Sequence, residues 1–254
     1  MNFSSLIQSR SALWSLILLA ANFCFAFVAS AEDLPDMRPT LVGNGPNALI
    51  NIIDTQGLIK RGQGNVILLI SCFVLPDSQT YAPQVYRVSA GGEKLKDEVK
   101  AKFHAARFIP AVYNHHKIYA TFYGTVVFAV ISGKPRLRIF ANQEPSELEK
   151  ESDFIEPQPI HIPNHFYDFP PYPGGSWASE DRPAVVDLSL SVDASGKMTE
   201  VHVLKEEPIG KGFGNVALKK MKALTYLPAF RNGKPVASTT HVGFPFMPAG
   251  WSWK

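Results

Sequence analysis

Two stretches of this chain, 118 positions apart, carry the same residue pattern without gaps. A domain-sized block present twice restricts the fold to something a chain can build once and then build again. Phe108-Ile109-Pro110-Ala111-Val112-Tyr113-Asn114 matches Tyr226-Leu227-Pro228-Ala229-Phe230-Arg231-Asn232, and the same offset sets Thr121 on Thr239 and Phe128 on Phe246. The period is far longer than that of a solenoid, so each copy is a module of its own. Duplication of this kind points to a binding surface used twice.

The second copy shows its elements most plainly. Val186, Leu188, Leu190 and Val192 alternate with Asp187, Ser189 and Ser191, the period of two that gives a strand one buried and one wet face. Asp193-Ala194-Ser195-Gly196 supplies turn chemistry, and Val201 and Val203 resume the alternation. After Gly210, Gly212 and Gly214, Asn215 is the expected N-cap of a short amphipathic helix. Ala217, Leu218, Met221 and Leu224 fall on its apolar face, with Lys219, Lys220 and Lys222 turned away. Asn232-Gly233 is a hairpin turn, and Thr240, Val242, Phe244 and Phe246 form a last strand. The fold expected is α+β: two tandem small antiparallel sheets, each strand-strand-helix-strand and each covered by one helix.

Copy one is greasier. Leu68, Ile70, Cys72 and Val74 match the core side of copy two, yet Ile67, Leu69 and Phe73 sit on the opposite face. Both faces therefore demand burial, with cover expected from Pro39 to Leu58, from the other module or from a partner. Leu137 and Ile139, alternating with Arg136 and Arg138, predict an edge strand that copy two lacks. From Glu144 to Glu156 there are six acidic side chains against Lys150 alone, a solvated stretch. Pro157, Pro159, Pro163, Pro170, Pro171 and Pro173 then predict a semi-rigid spacer. The expected organisation is a first module over 36–142, an acidic then proline-rich linker over 143–169, a second module over 170–248 and a tail over 249–254.

The N-terminus reads as an export address. Arg10 precedes an apolar run from Ala12 to Val28 that closes on Ala29-Ser30-Ala31, the small-x-small pattern of a secretory cleavage site. Residues 1–31 are the expected signal peptide, giving a periplasmic or secreted protein starting at Glu32. The alternative is an uncleaved inner-membrane anchor facing the periplasm. Cleavage would leave Cys72 as the only cysteine, so no disulfide within the chain is expected. A formal net charge of +3 argues against nucleic acid.

Motifs for chemistry are weak. Gly174-Gly175-Ser176-Trp177 lacks the glycine that a nucleophile elbow places two residues after its serine. Gly210-Lys211-Gly212-Phe213-Gly214 before a helix invites anion binding, but it lacks phosphate-loop spacing, and a plain loop is favoured. His161 and His165, like His115-His116, miss the spacing of metal-binding pairs. No metal and no cofactor are expected, and the chain reads as a non-enzyme. An exported enzyme with scattered residues between the modules is the rival.

Taken together, the order and spacing of several pieces resemble the C-terminal domain of the TonB/TolA type. These are Tyr172-Pro173 with Ala178, the Val185 to Val192 strand, Asp193 to Gly196, the Asn215 to Leu224 helix, and Leu227-Pro228-Ala229 with Asn232-Gly233-Lys234-Pro235-Val236. Copy one departs from the pattern with His115-His116-Lys117 and no clear Tyr-Pro. The resemblance implies partner binding at an exposed strand edge, near Tyr172 and Pro173 and along Thr239, Thr240 and His241. Strand addition supplies the physics: backbone groups give affinity and alternate side chains give specificity. The partner implied is a protein or peptide of the cell envelope, an outer-membrane protein among the candidates, with membrane contact only if the N-terminal segment stays uncleaved. An energy transducer for outer-membrane transport is the alternative the resemblance carries, although the long arm such a member needs ahead of the domain is missing.

Overall fold

The structure, a computed structural model, describes residues 33–161 and 184–246. The N-terminal segment expected to be a signal peptide, Tyr172-Pro173 and the tail lie outside the described residues. The first copy opens with β1 (Met37–Arg38), α1 (Leu49–Ile52) and α2 (Thr55–Lys60). The hairpin β2 (Val66–Val74) and β3 (Thr80–Val88) follows, then α3 (Glu93–Phe103), β4 (Ala111–Tyr113), β5 (His116–Ile131) and β6 (Lys134–Phe140). α4 (Pro145–Glu149) and β7 (Gln158–His161) come next. The second copy holds β8 (Ala184–Val192), β9 (Met198–Glu207), α5 (Phe213–Lys222), β10 (Thr225–Leu227), β11 (Ala229–Arg231), β12 (Lys234–Val236) and β13 (Ser238–Phe246).

The repeat extends to the hydrogen-bond register. Val66 faces Phe128 and Val74 faces Ala120 in the β2–β5 ladder; at the same offset Ala184 faces Phe246 and Val192 faces Ser238 in the β8–β13 ladder. Ala111 opposite Ile118 becomes Ala229 opposite Val236. Even the irregularity after Leu69/Arg87 recurs after Asp187/Lys205. Both tight turns carry positive φ at their two central residues, Asn114-His115 and Asn232-Gly233, as a type I′ hairpin requires.

The expectation of two small helix-covered sheets of an α+β protein is corrected. Strands hold 47% of the described residues and helices 19%, and a curled antiparallel half-barrel of five strands dominates. Its order is β1-β4-β5-β2-β3, and β6, β7 and β10 enlarge it to eight strands. The reason is the length of β5: at 16 residues its far edge accepts both β6 and β7. β7 in turn pairs with β10 of the second copy. The start of the stretch read as a spacer, Gln158–His161, is thus built into the sheet, and Ile155 adds a bridge to Phe230; the rest of that stretch lies outside the described residues. What remains for copy two is the three-stranded sheet β13-β8-β9 and the ribbon β11-β12.

Three apolar clusters follow from the alternation. Leu68, Ile70, Cys72 and Val74 of β2 pack with Leu95, Val99 and Phe103 of α3 and with Leu49, Ile53 and Leu58 from the α1–α2 segment. Val186, Leu188, Leu190 and Val192 of β8 pack with Phe213, Ala217 and Met221 of α5, and Tyr123 of β5 joins them. Ala111, Ala120, Ile160, Leu227 and Phe230 form a third cluster between the copies. The doubly apolar β2 is thereby explained in part. The Pro39 to Leu58 segment covers its inner face, and the second copy meets the outer face of its sheet at Tyr123.

Candidate functional site

β13 pairs with β8 along one side, and no strand among the described residues pairs with its other side. One hydrogen bond tells which backbone groups point outward. Gly243 N–H donates to Gln143 Oε1 over 3.3 Å, so it faces away from β8. In an antiparallel strand N–H direction alternates. Thr239 and His241 therefore also present their N–H groups outward, while Thr240, Val242 and Phe244 bond toward β8. Pro245 has no donor to offer. Gly243 is required at its position, since a Cβ there would stand 2.7 Å from the Tyr86 ring.

Beside this edge lies a cleft of about 760 Å³, within the range of ligand-binding pockets. Ile67 and Leu69 of β2, Val88 of β3, Leu204 of β9 and Leu148 of α4 supply its apolar walls, and His241 to Gly243 form a rim. Ile67 is 47% exposed and Leu204 54%. Arg87 reaches into the cleft but is matched by Asp187 at 2.8 Å and Glu207 at 3.8 Å. Glu149 also lines the cleft and is exposed, and Glu144 Oε2 accepts from His241 Nδ1 at 3.0 Å.

A buried polar chain supports the rim. Gln143 Nε2 donates to the Tyr86 hydroxyl, and Gln143 N–H donates to Glu156 Oε2 over 3.0 Å. Burial pushes the Glu156 carboxyl well above the usual carboxylate range, against the lowering effect of the Gln143 N–H. Burial thus favours the neutral form of Glu156, and its Oε1 has no partner among the described residues. A neutral acid avoids the penalty of burying an unpaired charge.

Of the residues singled out from sequence, Tyr172 and Pro173 lie outside the described residues. Thr239 and His241 lie on the open edge, the former sharing a 2.8 Å hydrogen bond with Ser191 Oγ. Thr240 lies on the same strand but is 2% exposed and faces the ladder. Gln143, Tyr86 and Leu148 were not foreseen. The outward apolar residues Ile67 and Leu69 were the available clue.

The glycine loop before α5 does form an anion cradle, and it is filled from within. Glu206 accepts from the backbone N–H groups of Gly210 at 2.7 Å, Lys211 at 3.1 Å and Gly214 at 2.6 Å. The helix starts at Phe213 with Gly212 in the cap position at φ 82°, so Asn215 is not its N-cap. His115 Nδ1 donates to the Leu34 carbonyl at 2.8 Å and His116 Nδ1 to that of Asn114 at 2.6 Å. Among the described residues no group of three His, Cys, Asp or Glu is placed to hold a metal, and no helix is long and apolar enough to cross a membrane. Cys72 is a buried free cysteine whose pKa burial drives far up, which keeps it a thiol.

Set against protein-family models, curated proteins and solved structures, the chain finds no match. The TonB/TolA-type resemblance rests on its sequence motifs alone.

Proposed function

We propose that this is an exported, non-catalytic protein-binding protein whose cleft takes an extended segment of an envelope partner as an added strand on the Thr239 to His241 edge. The observation that carries this reading is the convergence of two exposed aliphatic side chains, Ile67 and Leu204, on a cleft whose rim is an unpaired strand edge. Unpaired edges recruit strands, and each aliphatic residue contributes about 1.5–3 kcal/mol when fully covered. The resemblance to TonB/TolA-type domains supports the same mode.

The test is titration calorimetry against a partner captured from envelope extract and then purified. His241→Pro removes an outward donor and Ile67→Asp removes apolar cover. Both are expected to weaken binding at least about tenfold, one lost contact of roughly 1.4 kcal/mol, with an unchanged circular dichroism spectrum. Parent affinity in both variants rejects the site. Export is tested separately by N-terminal sequencing of envelope fractions, with Glu32 expected first. An intact Met1 in the membrane fraction favours the inner-membrane alternative.

A further inference from the structure

We propose that α5 and the loop ahead of it dock on an anionic membrane surface, with Lys219, Lys220 and Lys222 against acidic headgroups and Ile209 in the boundary beneath them. The repeat supplies the comparison that isolates this feature. At the 118-position offset Leu95, Val99 and Phe103 of α3 become Phe213, Ala217 and Met221 of α5, so the two helices bury the same face. Their wet faces differ. α3 sets Lys94, Lys96, Lys100 and Lys102 against Glu93, Asp97 and Glu98, one net positive charge on the helix. α5 carries three lysines and no acid, three net positive charges.

The three lysines are unmatched. Among the described residues none of them has an ion-pair partner. The acids at the end of β9 are engaged elsewhere: Glu206 accepts from the backbone N–H groups of the glycine loop, and Glu207 pairs with Lys205 and, at 3.8 Å, with Arg87. Lys219 and Lys222, three positions apart, are exposed on one side of the helix.

Ile209 is the apolar half of the surface. At 77% exposure it is the most exposed large aliphatic side chain among the described residues, in the loop from β9 to α5. The Glu206 hydrogen bonds to Gly210 at 2.7 Å and Lys211 at 3.1 Å hold that loop in place, so little ordering is left to be lost on docking. Lysines near an acidic leaflet and an aliphatic chain entering the headgroup boundary are the two contributions to a peripheral membrane contact. A soluble polyanion would use the lysines and leave Ile209 in water; a membrane uses both.

The orientation suits the cleft. α5 packs on the face of the β13-β8-β9 sheet that carries Val186, Leu188 and Leu190, whereas the cleft is lined from the other face by Asp187, Leu204 and His241. Docking through α5 therefore leaves the cleft facing away from the lipid. Membrane contact is thus separate from whatever the cleft binds.

The experiment is co-sedimentation of the full chain with vesicles of phosphatidylglycerol or of phosphatidylcholine, reading the bound fraction that high salt releases; an inserted N-terminal segment does not contribute to that fraction. Salt-releasable binding is expected on phosphatidylglycerol and not on phosphatidylcholine. Lys219→Gln combined with Lys222→Gln, at two exposed positions, is expected to weaken it at least about tenfold, and Ile209→Ser about three- to fivefold. Lys100→Gln with Lys102→Gln on α3 is the control for charge in general, and is expected to leave binding within about twofold of the parent. Equal salt-releasable binding to both vesicles, or none to either, overturns the proposal. Parent binding in the α5 lysine variant overturns it as well, and so does an equal loss in the α3 variant, which leaves only net charge. Indifference of Ile209→Ser beside a loss in the lysine variant leaves a site for soluble polyanions, and overturns the membrane as partner.

Discussion

At the scale of single residues, two carboxylates carry contributions that their neighbours in sequence do not announce. Glu147 accepts from both Arg231 nitrogens, at 2.7 and 3.1 Å, and from Ser152. The Arg231 hydrogen bonds, then Ser152, lower its pKa to about 2 from an ordinary 4.5. A folded pKa below the unfolded one means stability fully present above the unfolded value and lost as pH falls through the folded value. The urea midpoint of the parent is therefore expected to drop between about pH 5 and pH 2, and Glu147→Gln to flatten that drop. At pH 7 the substitution is expected to cost about 0.5–1 kcal/mol, since the pair is partly exposed. Glu206 works by the same sign: the Gly214 N–H, then those of Gly210 and Lys211, hold its carboxyl below the ordinary range. Glu206→Ala is expected to destabilise by about 1 kcal/mol, the loss typical of a helix cap. It also empties the cradle, so inorganic phosphate is expected to raise the melting temperature of the variant and not of the parent. Asn215 is the cap that local rules select. Glu206 displaces it from the end of the preceding strand, a distance those rules do not span.

At the scale of elements, the prediction concerns three adjacent residues that look equivalent in sequence. Thr240→Pro removes a donor facing β8 and is expected to destabilise by about 1–3 kcal/mol, the loss of one buried hydrogen-bonded group, measured by chemical denaturation. Thr239→Pro and His241→Pro remove outward donors and are expected to melt close to the parent while losing binding. A reversed pattern, with Thr240→Pro the mildest, rejects the assignment of the edge. Alternation of Thr240, Val242, Phe244 and Phe246 was legible because side-chain period is local. Which backbone side stays open was not, because it is fixed by Gln143, a hundred positions away. The same limit explains the enlarged sheet. β2, β8, β9 and α5 carry strong periodicity, whereas β7 and β10 have four and three residues, and β7 contains Pro159. Short segments acquire strand identity from their partners, and the partners are distant.

At the scale of the whole molecule, the copies are fastened by β7–β10 pairing, by the Ala120, Ile160 and Phe230 cluster and by the Glu147–Arg231 pair. Residues from Leu34 onward form one unit, so calorimetry is expected to show one unfolding transition. Two transitions would mean that these fastenings are weak. The matched registers carry a further consequence for how such a chain reaches its fold. β2 and β8 are interchangeable parts as far as hydrogen bonds go, because β13 meets β8 in the alignment that β5 uses on β2. A refolding molecule thus has crossed solutions available, with either long strand seated on the wrong mate, the hazard of tandem repeats. Geometry does not sort them; water does. β8 turns Asp187 and Ser191 outward where β2 turns Leu69 and Phe73, so a crossed molecule wets an oily face and dries a polar one. The polarity of those few outward side chains is what tells two superimposable halves apart.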